Sequence, residues 1–294
     1  MADHVLVTGA SGFLASHLIP ALLRADYKVT GIDRRPCSLP RHRRFKFAKQ
    51  DISRLTSLDG VDAVIHLAFA TNIPKSIADP VGTTRNNVDY GVKLLELAKQ
   101  AAVKRFIFPS TASLYGDQPT PWSEALPVYP AEPYSLQKYA MERFCRYYGA
   151  KGNVPTVIFR LFQVFGENQR PDTALAKFFE CRKQNKPIPI TQTTAQAGFR
   201  SARRDFVYAG DIARAWLAAL STPVPPGEII NIATGSTYSI EEIAQIISDK
   251  IEFIPRRGFE SDVHCGDIAK AKRLLNWYPI VDIKEWLKTY VTRI

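Results

Sequence analysis

The feature that most constrains this chain is the alternation, through its first half, of short apolar runs with longer stretches of helical periodicity. Val5-Leu6-Val7-Thr8 reads as a strand and residues 13–24 as a helix. Lys28 to Asp33, Arg44 to Ala48 and Ala63 to Ala68 read as further strands. Residues 84–100 space Val88, Val92, Leu95 and Ala98 as a helix does, and Lys104 to Pro109 makes a fifth strand. A helix over Tyr134–Tyr148 precedes a sixth strand, Thr156 to Leu161. This rhythm predicts an α/β chain: a Rossmann-type doubly wound parallel sheet with helices on both faces. After Gly166 the rhythm breaks, with a helical pattern over 173–184, a polar loop from Thr191 to Ala202, and another helix from Ala213 to Leu220. The 294 residues suffice for two unequal lobes. The expected division is 1–164, with 205–235 returning to it, and a smaller C-terminal α/β lobe from 165–204 and 236–294.

The turn after the first strand carries the first chemical signal. Thr8-Gly9-Ala10-Ser11-Gly12-Phe13-Leu14-Ala15 runs from strand into helix. Gly9 and Gly12 allow a tight turn whose backbone N–H groups approach a pyrophosphate, and the helix N-terminus adds partial positive charge. Asp33, at the end of the second strand, stands near the spacing of a carboxylate that grips an adenosine ribose diol. Such a carboxylate repels a 2′-phosphate and favours NAD. Arg34 and Arg35 follow immediately and carry the chemistry to pair with that phosphate, so NADP stays the alternative.

A second constellation lies downstream. Tyr134 and Lys138 stand at i and i+4, on one helix face, behind Pro133 at a favoured first helical position. An ammonium beside a phenol draws its pKa down from about 10, so that tyrosinate can take a hydroxyl proton as hydride leaves the adjacent carbon. Pro109 to Gly116 ends the fifth strand, where open α/β sheets bind ligands, and offers the Thr111 hydroxyl to share that proton.

With these residues in order, the chain resembles the extended short-chain dehydrogenase/reductases, in particular the NAD-dependent epimerase/dehydratase family typified by UDP-glucose 4-epimerase. The resemblance also takes in Asp51-Ile52, His66-Leu67-Ala68, Asn86-Asn87-Val88, Arg160, Arg204 to Tyr208 and Asp267 to Ala271. It implies cofactor contacts from Gly9, Gly12, Phe13, Leu14, Asp33, Asp51, Ile52, Leu67, Ala68 and Asn87. It implies catalysis by Thr111, Tyr134 and Lys138, the last two also touching the cofactor. Gln163, Arg204 and Arg257, with Thr111, are the implied nucleotide-sugar contacts, and arginine suits a diphosphate. A homodimer through the helices at 84–100 and 134–148 is implied as well.

Family members oxidise a sugar to a keto intermediate and then diverge. Those that are 4,6-dehydratases carry an Asp-Glu pair directly after the catalytic Thr; here Ala112 and Ser113 stand in those positions. The expectation is therefore a sugar-nucleotide 4-epimerase acting through a transient 4-keto sugar, with a keto-sugar reductase or a non-catalytic cofactor-binding regulator as alternatives. Gln163 replaces a frequent Asn, and Thr71 replaces the Lys of UDP-glucose 4-epimerases.

Composition is used here to exclude. Four cysteines, Cys37, Cys145, Cys181 and Cys265, form no CxxC pair, which suits reduced thiols rather than disulfides or a metal. No apolar run approaches the ~20 residues of a membrane helix, and a cytoplasmic enzyme is expected. A net charge of +11 steers anions, and without a nucleic-acid-binding motif it points to a phosphorylated small molecule.

Overall fold

Strand and helix follow from the two periodicities in turn. The computed structural model describes residues 3–194, 197–256 and 261–293. It begins with β1 (His4–Thr8), α1 (Phe13–Arg24), β2 (Lys28–Asp33), β3 (Phe45–Lys49) and β4 (Ala63–His66). Next come α2 (Ile73–Ala78), α3 (Pro80–Thr84), α4 (Tyr90–Gln100), β5 (Arg105–Thr111), α5 (Pro133–Ala150), β6 (Thr156–Leu161) and β7 (Gln163–Phe165). Then follow α6 (Ala174–Lys183), β8 (Ile188–Thr191), β9 (Arg203–Arg204), β10 (Phe206–Tyr208), α7 (Ala209–Ser221) and β11 (Glu228–Ile232). The chain closes with β12 (Tyr238–Ser239), α8 (Ile240–Ile247), β13 (Ile251–Ile254), β14 (Val263–His264), α9 (Ala269–Leu275) and α10 (Ile283–Val291).

The main sheet has seven strands in the order β11-β6-β5-β4-β1-β2-β3. All its pairings are parallel, as in Val7 opposite Gly31 and Ile107 opposite Val157. Alternate side chains serve opposite faces. Val5, Val7, Ile65, Ile107 and Phe159 pack on Leu18, Leu22, Ile212, Trp216 and Leu275 of α1, α7 and α9. Leu6, Val64, Phe106, Phe108 and Ile158 meet Leu94, Leu95, Met141 and Cys145 of α4 and α5. Both faces are covered, which is the doubly wound arrangement. A separate core of Phe165, Leu175, Phe178, Ile190, Ile243, Ile247 and Leu287 holds the C-terminal part, built on three small sheets.

The pattern over 84–100 is not one helix. Two short helices precede it, α2 capped by Asn72, whose Oδ1 accepts from Lys75 N at 2.8 Å, and α3 capped by Asp79, which accepts from Gly82 N at 2.9 Å. A π-helical turn at Arg85–Asp89 then feeds α4. These segments are too short for periodicity to register. The fourth strand stops at His66, because Thr8 Oγ1 bonds His66 Nδ1 at 2.8 Å and accepts from Ala68 N at 3.2 Å, turning the chain away.

Candidate active site

A cleft of about 590 Å³ opens where β1, β2, β4, β5 and β6 end. This is the ligand position of open α/β sheets. At one end, Gly9 adopts φ +70° and Gly12 N donates to Gly9 O at 2.9 Å, closing the turn. No side chain caps α1 at Gly12, so its N-terminus faces the cleft as an anion site. Phe13, Leu14, Ile52, Leu67 and Ala68 line the same end.

The Asp33 carboxylate is fixed from both sides: Ser11 N donates to Oδ2 at 3.0 Å and Arg35 N to Oδ1 at 2.8 Å. Arg34 stands 3.6 Å from Asp51 and Arg35 3.6 Å from Asp33, so both arginines associate with carboxylates of the cleft wall. Burial pushes the Asp51 carboxyl up. Hydrogen bonds from Ser53 and the charge of Arg34 outweigh it and hold the group below the usual carboxylate range.

At the other end, Thr111, Tyr134 and Lys138 all line the cleft. α5 starts here because Pro133 occupies its first turn and Glu132 forms a capping box with Ser135. Burial pushes the Tyr134 phenol up to about 12, with the Thr111 hydroxyl hydrogen-bonded to it pulling the other way. This corrects the expectation drawn from i, i+4 spacing. Lys138 Nζ lies 6.0 Å from the Tyr134 ring centre and closer to Phe69, at 3.8 Å, and Phe108, at 4.6 Å. It donates to Pro109 O at 2.5 Å, towards the strand end, and burial pushes its own pKa down to about 7.

The remaining expected residues divide. Gln163 lines the cleft. Asn87 does not: it is fully buried, its Oδ1 accepting from Ala70 N at 2.7 Å and its Nδ2 donating to Gln137 Oε1 at 2.6 Å. The neighbouring Asn86 lines the cleft instead, because the π turn rotates Asn87 inward. Arg204, on β9, donates to Arg203 O at 3.0 Å and Asp262 O at 3.3 Å, outside the lining of this cleft. Arg257 lies outside the described residues.

Arg170, which no sequence pattern marks, also lines the cleft. Arg170 grips Asp172 through two bonds of 2.8 and 2.7 Å and bonds Thr71, while Asn72 Nδ2 donates to Asp172 at 2.9 Å. Nothing local marked it, since it sits in a loop. No group of three or more His, Cys, Asp or Glu able to hold a metal occurs among the described residues.

Residues 5–233 match the model of the NAD dependent epimerase/dehydratase family. A UDP-glucuronate 4-epimerase of Thermodesulfobacterium geofontis is 33% identical, over 98% of this chain and 95% of that protein. The dTDP-D-glucose 4,6-dehydratase of Mus musculus is 32% identical, over 89% of this chain and 76% of that protein. Among solved structures, the UDP-glucuronic acid 4-epimerase of Bacillus cereus, in complex with UDP-glucuronic acid and NAD, superposes with a TM-score of 0.87 at 32% identity, each chain covered to 99%.

Proposed function

Because this chain belongs to the NAD dependent epimerase/dehydratase family, we propose that it is an NAD-dependent 4-epimerase of a UDP-sugar. One observation carries the reading: a single cleft holds the glycine turn with Asp33 at one end and Thr111, Tyr134 and Lys138 at the other. The dehydratase alternative loses support at the positions after Thr111. Ala112 is buried and apolar, and Ser113 spends its N–H on Thr111 Oγ1, so no carboxyl pair is available for eliminating water. Relatives that act on UDP-glucuronate support a UDP-hexose or hexuronate substrate.

The cleft fits NAD on its own chemistry. An uncapped helix start and a glycine turn suit a pyrophosphate, and the anchored Asp33 carboxylate suits a ribose diol. When bound, NAD supplies a hydride acceptor and a positively charged ring. With a sugar nucleotide bound, ionised Tyr134 Oη would take the C4 hydroxyl proton as that carbon is oxidised to a ketone, and the phenol would return the proton when the ketone is reduced from its other face. Held at about 12 by burial, with the charge of Arg170 pulling it down, this phenol ionises only beside positive charge, and in this reading Lys138, its Nζ 6.0 Å from the ring centre, adds to that charge. Thr111, whose hydroxyl donates to Ser113 Oγ at 3.1 Å, lies beside the phenol and lowers its pKa.

In this reading residues 1–164 and 205–235 serve the cofactor, and 165–204 with 236–294 the sugar nucleotide. Two chains associate through the helices at 84–100 and 134–148, with the exposed apolar Leu136 and Tyr147 of α5, and Ile77 and Val81 of the neighbouring α2 and α3, on that face. Mass spectrometry of the protein as purified is expected to release NAD, and the protein to interconvert C4 epimers within a UDP-sugar panel. Tyr134→Phe is expected to keep NAD and lose at least about 10²-fold in kcat. A protein carrying no NAD and interconverting no epimers would overturn the reading.

A further inference from the structure

Lys138 is a cation in an apolar cage. The rings of Phe69 and Phe108 flank its Nζ, which donates to the carbonyl of Pro109 and forms no ion pair among the described residues. A buried ammonium of this kind needs a countercharge or it sheds its proton. One helical turn on, and on the same helix face, α5 presents Glu142. Its two carboxylate oxygens accept from Arg160 Nε at 3.0 Å and Nη2 at 2.8 Å, with side chains only 1% and 4% exposed. Arg160 comes from β6 and stacks its guanidinium 4.8 Å from the Tyr115 ring centre, while the Tyr115 hydroxyl donates to Asn231 on β11 at 2.7 Å.

We propose that Glu142, locked by Arg160, is the positioning residue that holds Lys138 in its charged form for the proton step. The role rests on the reading of Tyr134 and Lys138 given above. Two further arguments support it. First, a buried ion pair is often no more stable than the apolar packing that would replace it, so stability alone does not account for this one. Second, the other titratable groups around Lys138 supply no negative charge. Burial pushes His66 on β4 down to about 3, leaving it neutral, and pushes the Cys145 thiol of α5 up. Tyr134, on the same helix, is a neutral phenol in the resting protein, at its raised pKa of about 12, and ionises only in the proton step itself. The charge of Glu142 is the leading influence opposing the burial that drives Lys138 downward. Arg160 holds that carboxylate in register through the two bonds of its guanidinium fork.

The sign follows. Removing the anion favours neutral Lys138, so its titration midpoint falls and activity is lost at a lower pH on the alkaline side. The test is a pH titration of the Lys138 Nζ resonance in NAD-loaded, lysine-labelled protein, run beside the pH profile of kcat. Glu142→Gln is expected to lower both midpoints by at least about 1 pH unit, and Glu142→Asp to stay close to the parent protein. Arg160→Lys, which keeps the charge but not the fork, is expected to lower stability without a comparable midpoint shift. Should Glu142→Gln fail to fold, the double variant Glu142→Leu/Arg160→Met removes the whole pair and is expected to show a fall in the same direction, smaller because the Arg160 charge goes with it. A Lys138 midpoint unchanged in whichever of these charge-removing variants folds overturns the proposal. Absence of epimerase turnover in the parent protein would instead overturn the functional reading, and the resonance titration would still report on the pair.

Discussion

At Gly9 backbone conformation and ligand approach coincide. Its φ of +70° is unfavourable for any residue with a side chain, and a Cβ there would stand 2.7 Å from Ala68 N and Leu67 C. Both are backbone atoms of the segment that follows the adjacent β4 and cannot swing aside. Gly9→Ala is therefore expected to cost about 1–3 kcal/mol and to strip NAD from the purified protein. Thermal unfolding and a cofactor assay check this, and an unchanged melting temperature with full NAD content would refute it. Gly9, Asp33, Thr111, Tyr134 and Lys138 were legible because each sits at a strand end or helix start that sequence pattern locates. Asn87 was misplaced because its direction depends on a π turn, which shifts the facing of a side chain by a fraction of a turn without altering composition. Arg170 was invisible because its partners Thr71, Asn72 and Asp172 are loop residues brought together only by the fold.

Elements are joined here by buried polar staples as well as by apolar packing. The Asp205 carboxylate, fully buried between β9 and β10, accepts from Thr234 N at 2.7 Å, Thr234 Oγ1 at 2.7 Å, Gly235 N at 2.9 Å and Gly266 N at 3.1 Å. Two stretches of chain far apart in sequence, at 234–235 and at 266, are thus tied to one side chain. Truncation leaves several buried N–H groups unpaired, so Asp205→Ala is expected to destabilise by at least about 2 kcal/mol. A fall in the urea midpoint would show this; a change below half that size would refute it. Long elements such as α1 and α5 and the strands of the main sheet other than β11 were legible from apolar periodicity, boundaries aside. The π turn and the two-residue strands β9, β12 and β14 were not, since their backbone pairing follows from contacts that no local window contains.

For the molecule as a whole, surplus positive charge and an uncovered apolar face set its behaviour in solution. The net charge of +11 raises the local concentration of a doubly anionic sugar nucleotide, an effect that salt screens. Leu136 and Tyr147 on α5 are 52% and 61% exposed, and Val81 on α3 is 71% exposed. Light scattering is expected to give twice the chain mass, and Leu136→Glu with Tyr147→Glu to return it to the chain mass; a monomeric parent protein would refute the association. The position of β11 has a consequence for how the protein is made. It completes the main sheet beside β6, yet it is translated only after α6, α7 and four small strands have left the ribosome. Until then the nascent chain carries β6 as an open hydrogen-bonding edge, a surface that invites pairing with other chains. Synthesis of this protein therefore includes an interval, ended by the emergence of residue 232, in which its largest sheet depends on chaperones or on speed to avoid misassembly.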